Sequence, residues 1–277
     1  MEIKMEIKIH KGKKKSPQKV GVYGQGGSGK SKFAENALIG DVEGGLKEID
    51  CESVDLVGKS TEDIFDFLRY VHKHHKDIKQ DTIAIDSIDW VEKQVHAEIC
   101  EERGVKSGSI NDKALAFGVG HQMSMARFVK LFNSLDMIRD LGFHILIISH
   151  AKIQTISDPN LDSYDRWDVS LEKNIRRYFR EWLDILAYVN IETFTMKQES
   201  QGFGGTKFKP TTTGRRLLNI GNDPSYESKT RVALPDKIDL SWSALMSAIE
   251  ESRADKGETA KQVTKKQEKE DGKHIRL

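Results

Sequence analysis

The stretch GVYGQGGSGKS, Gly21 to Ser31, limits what this chain can fold into more than any other segment. Gly24, four residues, and then Gly29-Lys30-Ser31 match G-x-x-x-x-G-K-[ST] at every fixed position. KVGVY (Lys19 to Tyr23) reads as a buried strand ahead of it, and SKFAENALI (31–39) reads as an amphipathic helix behind it. Strand, glycine loop and helix together make a phosphate cradle: glycines let backbone N–H groups curl around phosphate oxygens, and the helix presents its positive end. On this reading Gly24, Gln25, Gly26, Gly27, Ser28, Gly29, Lys30 and Ser31 bind nucleotide phosphates. Lys30 neutralises β/γ-phosphate charge and Ser31 ligates Mg²⁺. The alternative is a glycine-rich turn with an incidental lysine.

Such a loop needs a second acid for the metal at the end of a neighbouring strand, because Mg²⁺ keeps its waters and a carboxylate orients them. Asp86, closing the apolar run TIAID, supplies it. Between these two points and beyond them, strand-like and helix-like segments alternate. STEDIFDFLRYVHKHH has Ser60 or Thr61 as N-cap and Ile64, Phe65, Leu68 and Val71 on one face. Helices are also expected in VEKQVHAEICEERG, ARFVKLFNSLDMIRDLG (ending at Gly142), LEKNIRRYFREWLDIL and SWSALMSAIEES. FHILIISH is the most apolar strand and AYVNIET another, while IGDVEGGLKEI holds a short strand broken at Gly44 and Gly45. The fold class expected is α/β, a mainly parallel sheet flanked by helices with ligands at the strands' carboxyl ends, and with a hairpin-like region over about 192–240.

The 277 residues carry a net charge of +1, so any nucleic-acid binding rests on local patches. Two cysteines, Cys51 and Cys100, in no metal-spaced cluster, fit a reducing cytoplasm. No segment approaches the roughly 18 uncharged apolar residues of a membrane span, so no membrane partner is expected. Three divisions are expected: a lysine-rich lead over 1–18, an ATPase domain over 19–250 and a charged, disordered tail over 251–277. In HKHH (72–75), His72 and His74 fall on different helix faces, which favours a solvated helix end over a metal site.

Hydrolysis also needs a carboxylate to polarise the attacking water. Ser87, not Glu, follows Asp86, so the base must come from elsewhere. Glu43 in GDVEGG sits just past a short strand, where paired glycines permit a sharp turn; the alternative is a solvated turn carboxylate. Here the chain resembles the RecA-like recombinases, with their D-x-E-G-type segment and a metal Asp followed by Ser, as in AIDS. The resemblance implies a RecA-like P-loop NTPase core in which Glu43 activates water and HILIISH is the strand that senses the γ-phosphate. The family's usual Gln at the end of that strand is here Ser149 or His150, so sensing by His150 stands against a structural histidine. Across about Val20 to Ile249 the chain also looks like phage-encoded, Sak-type single-strand-annealing proteins, through AFGVGHQ, LGFHILIISHAKI, SYDRW and SKTRVALPDKIDLSW.

The resemblance places DNA-gripping loops at about 104–122 and 152–173. In the second, Lys152, Tyr164, Arg166 and Trp167 combine stacking faces with charge, as single-stranded DNA requires; a packing loop is the alternative. Arg215, Arg216, Lys229 and Arg231 are candidates to reach a neighbouring subunit's nucleotide, against a role as exposed hairpin cations. The expected activity is Mg²⁺-dependent, DNA-stimulated ATP hydrolysis by a homo-oligomer, ring or filament, that anneals or exchanges strands in phage recombination. The competing reading is a nucleotide-switched module that holds a protein partner, such as a single-strand-binding protein, with little turnover.

Overall fold

Alternation along the central strands sorts their side chains into two apolar layers. In β1 (Lys19–Gly24) every residue is buried; Val20 and Val22 enter one layer and Tyr23 the other. β4 (Thr82–Asp86) splits Ile83 and Ile85 from Ala84, and β5 (His144–Asp158) splits Ile145 and Ile147 from Leu146 and Ile148. Period-two alternation with both faces apolar is what a sheet covered on both sides demands. The computed structural model describes residues 15–159, 161–198 and 207–254.

The remaining strands are β2 (Leu38–Asp41), β3 (Glu52–Asp55), β6 (Leu161–Val169), β7 (Ile185–Gln198), β8 (Lys207–Asn219), β9 (Lys229–Thr230) and β10 (Lys237–Asp239). They line up as β10-β8-β7-β1-β5-β4-β2-β3, with β6 paired to β5 and β9 to β7. From β7 to β3 all neighbours are parallel, whereas β8, β9 and β10 run antiparallel to their partners. This is a mixed, mostly parallel α/β sheet flanked by helices, with a C-terminal antiparallel hairpin.

One face is covered by α2 (Thr61–His74), α3 (Ile88–Glu102), α4 (Val119–Asp140) and α5 (Lys173–Trp182). The other carries α1 (Lys30–Phe33) and α6 (242–254), through Phe33, Leu245 and Ile249. α2 starts at Ser60, whose hydroxyl accepts from the Asp63 amide while the Asp63 carboxylate accepts from the Ser60 amide, a reciprocal capping box. In α5, Ile175, Phe179 and Trp182 form the buried stripe, leaving Lys173, Arg176, Arg177 and Arg180 on the outward side. Gly21 lets this layer close down: a Cβ there would lie 2.4 Å from Leu183 Cδ1.

The structure corrects several sequence expectations. The helix over 31–39 is one turn, Lys30–Phe33; Ala34 and Ala37 then close four-residue turns, and Leu38 and Ile39 fill a strand slot between β3 and β4. Short apolar runs do not separate helix from strand, and here tertiary pairing decided. β3 lacks an apolar signature and was not expected. The stretch expected as a polar segment over 105–122 contains a 3₁₀ turn at Lys113–Leu115 and the start of α4 at Val119, capped by Gly118. The stretch expected as a DNA loop over 152–173 is instead an antiparallel hairpin: β5 runs on to Asp158 and returns as β6, followed by α5. The last helix extends to residue 254, into the expected tail. Residues 1–14 of the expected lead and 255–277 of that tail lie outside the described residues. No described helix is long and apolar enough to cross a membrane.

Phe132 is fully buried in α4 and stacks on Tyr178, Phe179 and Trp182 at centroid distances of 5.6, 5.9 and 4.8 Å. Phe132→Ala is expected to lower unfolding stability by about 3–5 kcal/mol, read as a lower urea midpoint with an unchanged slope.

Candidate nucleotide site

The parallel registers set the site. Gly24 lies opposite His150 of β5, and Asp86 lies opposite Asp41 of β2, so the loop, both strand ends and the β2 turn converge at the carboxyl edge. Gly27 and Gly29 have φ of 75° and 98°, a left-handed backbone that favours glycine. Gly24 is needed for close approach instead, since a Cβ there would sit 2.4 Å from the Val189 carbonyl oxygen of β7.

Lys30 is 6% exposed, and its Nζ donates to the carbonyls of Gly24 at 3.0 Å and Gln25 at 2.9 Å. Burial pulls its ammonium below the ordinary lysine range, opposed by attraction to Asp86, Glu43 and Asp89. Ser31 Oγ donates to Asp86 Oδ2 at 2.7 Å. Asp86 is 2% exposed; burial raises its carboxyl to about 6 despite the Ser31 donor, and the charges of Glu43 and Asp41 add to the rise. Ser28 Oγ is buried with no hydrogen-bond partner among the described residues, in the segment where a phosphate oxygen would be held. Beside the loop lies a cavity of ≈ 380 Å³ lined by Gln25, Gly26, Ser28, Trp167 and Tyr188 among others.

The residues fit the group the loop pattern calls for. An orphan hydroxyl, left-handed glycines and a buried ammonium suit phosphate. A hydroxyl paired with a carboxylate that two further acids crowd suits a small oxygen-seeking dication at Ser31 and Asp86.

Glu43 reaches the same place through a tight turn in which Gly44 N donates to Asp41 Oδ1 at 2.7 Å, while the Val42 and Glu43 amides donate to the Asp86 carbonyl at 2.7 and 3.1 Å. Its Oε2 accepts from Ser87 Oγ at 3.1 Å, and its Oε1 lies 3.4 Å from His150 Nε2. The other ring nitrogen of His150, Nδ1, is 3.0 Å from Asp89 Oδ2. The hydrogen bond to Asp89 raises the imidazole above its ordinary range, ahead of the opposing effect of burial. Asp89 was not singled out from the sequence. Its signal is spacing: three residues after Asp86, in the first turn of α3, it points back to the strand ends.

Of the four basic candidates, the structure brings Arg216 to the loop. Its side chain packs on Gly29, where a Cβ would lie 2.9 Å from Arg216 Cδ and 3.2 Å from its Nε. Arg215 pairs with Asp239 at 2.6 Å on the surface. Lys229 and Arg231 sit at the opposite, amino end of β7. Lys229 Nζ donates to the carbonyls of Arg180, Glu181 and Leu183 at 2.7–2.9 Å, and Arg231 binds Asp184 and the Glu181 carbonyl, so both close the C-terminal end of α5. Among the DNA candidates, Lys152 Nζ donates to the Leu171 carbonyl at 2.5 Å and half-buried Trp167 stacks on Tyr188 at 6.1 Å. Arg166 pairs with Glu227 and Asp168. Tyr164 shares the hairpin face of Arg166, two residues further out.

The chain matches the AAA domain family over residues 16–232 and belongs to it; the fold and the loop define a P-loop ATPase domain. No curated protein matches the chain. A KaiC-like protein from the hyperthermophilic archaeon Pyrococcus horikoshii OT3 is similar to it in structure, with 14% identity, coverage of 81% of this chain and 85% of that one, and a TM-score of 0.39.

Asp86 gives this site a pH signature. A carboxyl raised on folding contributes stability that is complete below its unfolded value, near 3.8, and is lost as pH rises through about 6. Without nucleotide or Mg²⁺, Asp86→Asn is therefore expected to raise the melting temperature at pH 8, by the equivalent of roughly 2–3 kcal/mol, with the gap closing below pH 4. Thermal unfolding across that range measures it.

Proposed function

We propose that the chain binds ATP with Mg²⁺ and hydrolyses it, and that it acts on single-stranded DNA in phage recombination, by annealing or strand exchange. The observation that carries the hydrolysis reading is the convergence of Lys30, the Ser31–Asp86 pair, Glu43 and His150 on one sheet edge. Lys30 and the loop amides hold the phosphates, Ser31 and Asp86 would hold Mg²⁺, and Glu43 takes the proton of the attacking water. The dication, when bound, neutralises charge on the phosphate oxygens. Arg216 adds a cation at the loop from the same chain.

Two surfaces support the DNA reading. Phe117 is fully exposed and held at φ 58°, a backbone that bulky residues seldom adopt and that keeps its ring in solvent. A cleft of ≈ 490 Å³ between the β5–β6 hairpin and α5 is lined by Arg166, Lys173, Arg176, Arg177 and Arg180. Its acids, Asp168 and Glu227, are paired to Arg166, Arg176 and Arg180, and Arg177 lies 3.8 Å from Glu181, so the five cations of the lining outnumber the acids they meet and the rim is net positive. His121, near the start of α4, lies 3.9 Å from Glu172 beside α5, which makes the two surfaces neighbours. An exposed ring beside a cationic groove is the arrangement that binds single strands without reading sequence. The resemblance of SYDRW and SKTRVALPDKIDLSW to the annealing proteins supplies the phage setting, a host cytoplasm, and the expectation of a homo-oligomer working with a single-strand-binding protein.

Lys30→Ala is expected to lose ATP binding. Glu43→Gln is expected to keep ATP affinity within a few-fold while turnover falls 10²–10⁴-fold. ATPase rate and nucleotide affinity, measured with and without an oligonucleotide while particle size is followed, test this; unchanged turnover in Glu43→Gln would favour a nucleotide switch. Lys173→Glu with Arg177→Glu is expected to weaken oligonucleotide binding at least tenfold in low salt and to flatten its salt dependence, while Phe117→Ala weakens it by about 1–3 kcal/mol. Affinity that survives all three changes would sink the DNA surface.

A further inference from the structure

β8 carries two residues more than its partner strand just where it passes the phosphate loop. Between the pairs Thr193–Thr212 and Ile191–Arg216, β7 advances two residues while β8 advances four. Gly214, at φ 77°, supplies the left-handed backbone that this surplus needs. The irregularity is hydrogen-bonded throughout. Thr212 Oγ1 donates to the Glu192 carbonyl and Thr213 Oγ1 to the Glu192 carboxylate, each at 3.0 Å, and the same two hydroxyls accept from the amides of Gly214 and Arg215 at 3.1 and 3.2 Å. A bulge bends its strand and re-aims the side chain beside it. Here that side chain is Arg216: its Cδ and Leu240 Cδ2 meet the loop at Gly29, 2.9 and 3.1 Å from where a Cβ would stand. Leu240 N donates to the Arg216 carbonyl at 3.0 Å, which ties the end of β10 to the same place. Arg215 is neutralised by Asp239, whereas among the described residues no acid pairs with Arg216, and its guanidinium keeps its donors for another anion.

We propose that the β8 bulge aims Arg216 at the phosphate joined to the sugar, in the chain's own site, so that Arg216 binds nucleoside diphosphates and triphosphates alike and takes no part in the transfer. The order of strands sets which end of the nucleotide it meets. β7 and β8 lie on one side of β1, and β5, β4 and β2 on the other. Asp86, Glu43 and His150 all reach the loop from that second side. A triphosphate with its terminal phosphate against those groups turns its other end toward β8. The proposal rests on the nucleotide reading above and deepens it, because it gives this cation to the chain's own ligand rather than a neighbour's, and to the phosphate that the reaction leaves unchanged. A contact equally strong before and during the transfer lowers KM without raising kcat. It also outlasts hydrolysis, so it holds the product as firmly as the substrate.

The test uses the full chain with Mg²⁺ and calorimetric titration of ADP and of the β,γ-imido analogue of ATP. Arg216→Ala is expected to weaken both by the same factor, about tenfold, and to leave kcat within about twofold of wild type. Of the two diastereomers of ADP that carry sulfur on the phosphate joined to the sugar, wild type is expected to prefer one by at least about threefold, and Arg216→Ala to bind both alike. Removing Thr213 and Gly214 together, which keeps Arg216 but restores regular pairing, is expected to weaken ADP as much as Arg216→Ala does. Affinities in Arg216→Ala within about twofold of wild type, or a fall in kcat beyond about tenfold with ADP affinity kept, would overturn the proposal. A sulfur preference absent from wild type, or kept in the variant, overturns it as well. If the deletion variant fails to fold, judged by its melting curve, the Arg216→Ala titrations decide alone. A wild type that binds neither nucleotide defeats the nucleotide reading itself; one that binds both without turnover defeats only hydrolysis, and the affinities still accept or reject the role of Arg216.

Discussion

A lysine ammonium buried under its own loop is the constraint around which this sheet edge is organised. Lys30 spends two of its three donors on the carbonyls of Gly24 and Gln25. That folds the loop over the charge before any phosphate arrives. Burying a cation is costly unless opposite charge is close. The carboxylates of Asp86, Glu43 and Asp89 answer that cost from three separate elements. They in turn crowd each other: Asp86 is pushed up by its own burial and by its acidic neighbours. The result is a site strained in charge on both sides, which an anion against the lysine and a dication against the acids would relieve together.

The backbone supports this with little freedom to spare. Asp86 serves the turn as well as the site, because its carbonyl accepts the amides of Val42 and Glu43. β7 approaches Gly24 so closely that no side chain fits there. Arg216 covers Gly29 from β8. The loop is therefore shaped from the flanking strands as well as from the helix behind it, which suits a chain whose α1 is a single turn. A longer helix would supply more dipole; here strand ends and side chains do more of the positioning.

How much could be read in advance follows from the range of each signal. The loop spacing and Asp86 at the end of an apolar run are local patterns, and Ser31 and Asp86 do meet at 2.7 Å. The parallel sheet was legible because helix and strand periodicities alternate along the chain. Asp89 was not legible: its meaning depends on β5 running alongside the start of α3, 61 residues away. The β5–β6 hairpin was hidden for another reason, since Asp158, Asp162, Asp165 and Asp168 give it the polarity of a loop. Lys229 and Arg231 looked like free cations because a sequence does not show which carbonyls end a distant helix.

β5 runs without interruption from His144 to Asp158, its first half inside the parallel sheet and its second half projecting with β6. Among the described residues its one irregularity lies near the tip, between Ile156 and Asp158. In mechanical terms it is a cantilever, clamped at one end by β1 and β4 and stiffened along its free length by a second strand. Such a beam has no hinge in which a load could be absorbed. Its root is His150, the last residue of β5 paired with β1 before Ala151 begins the pairing with β6.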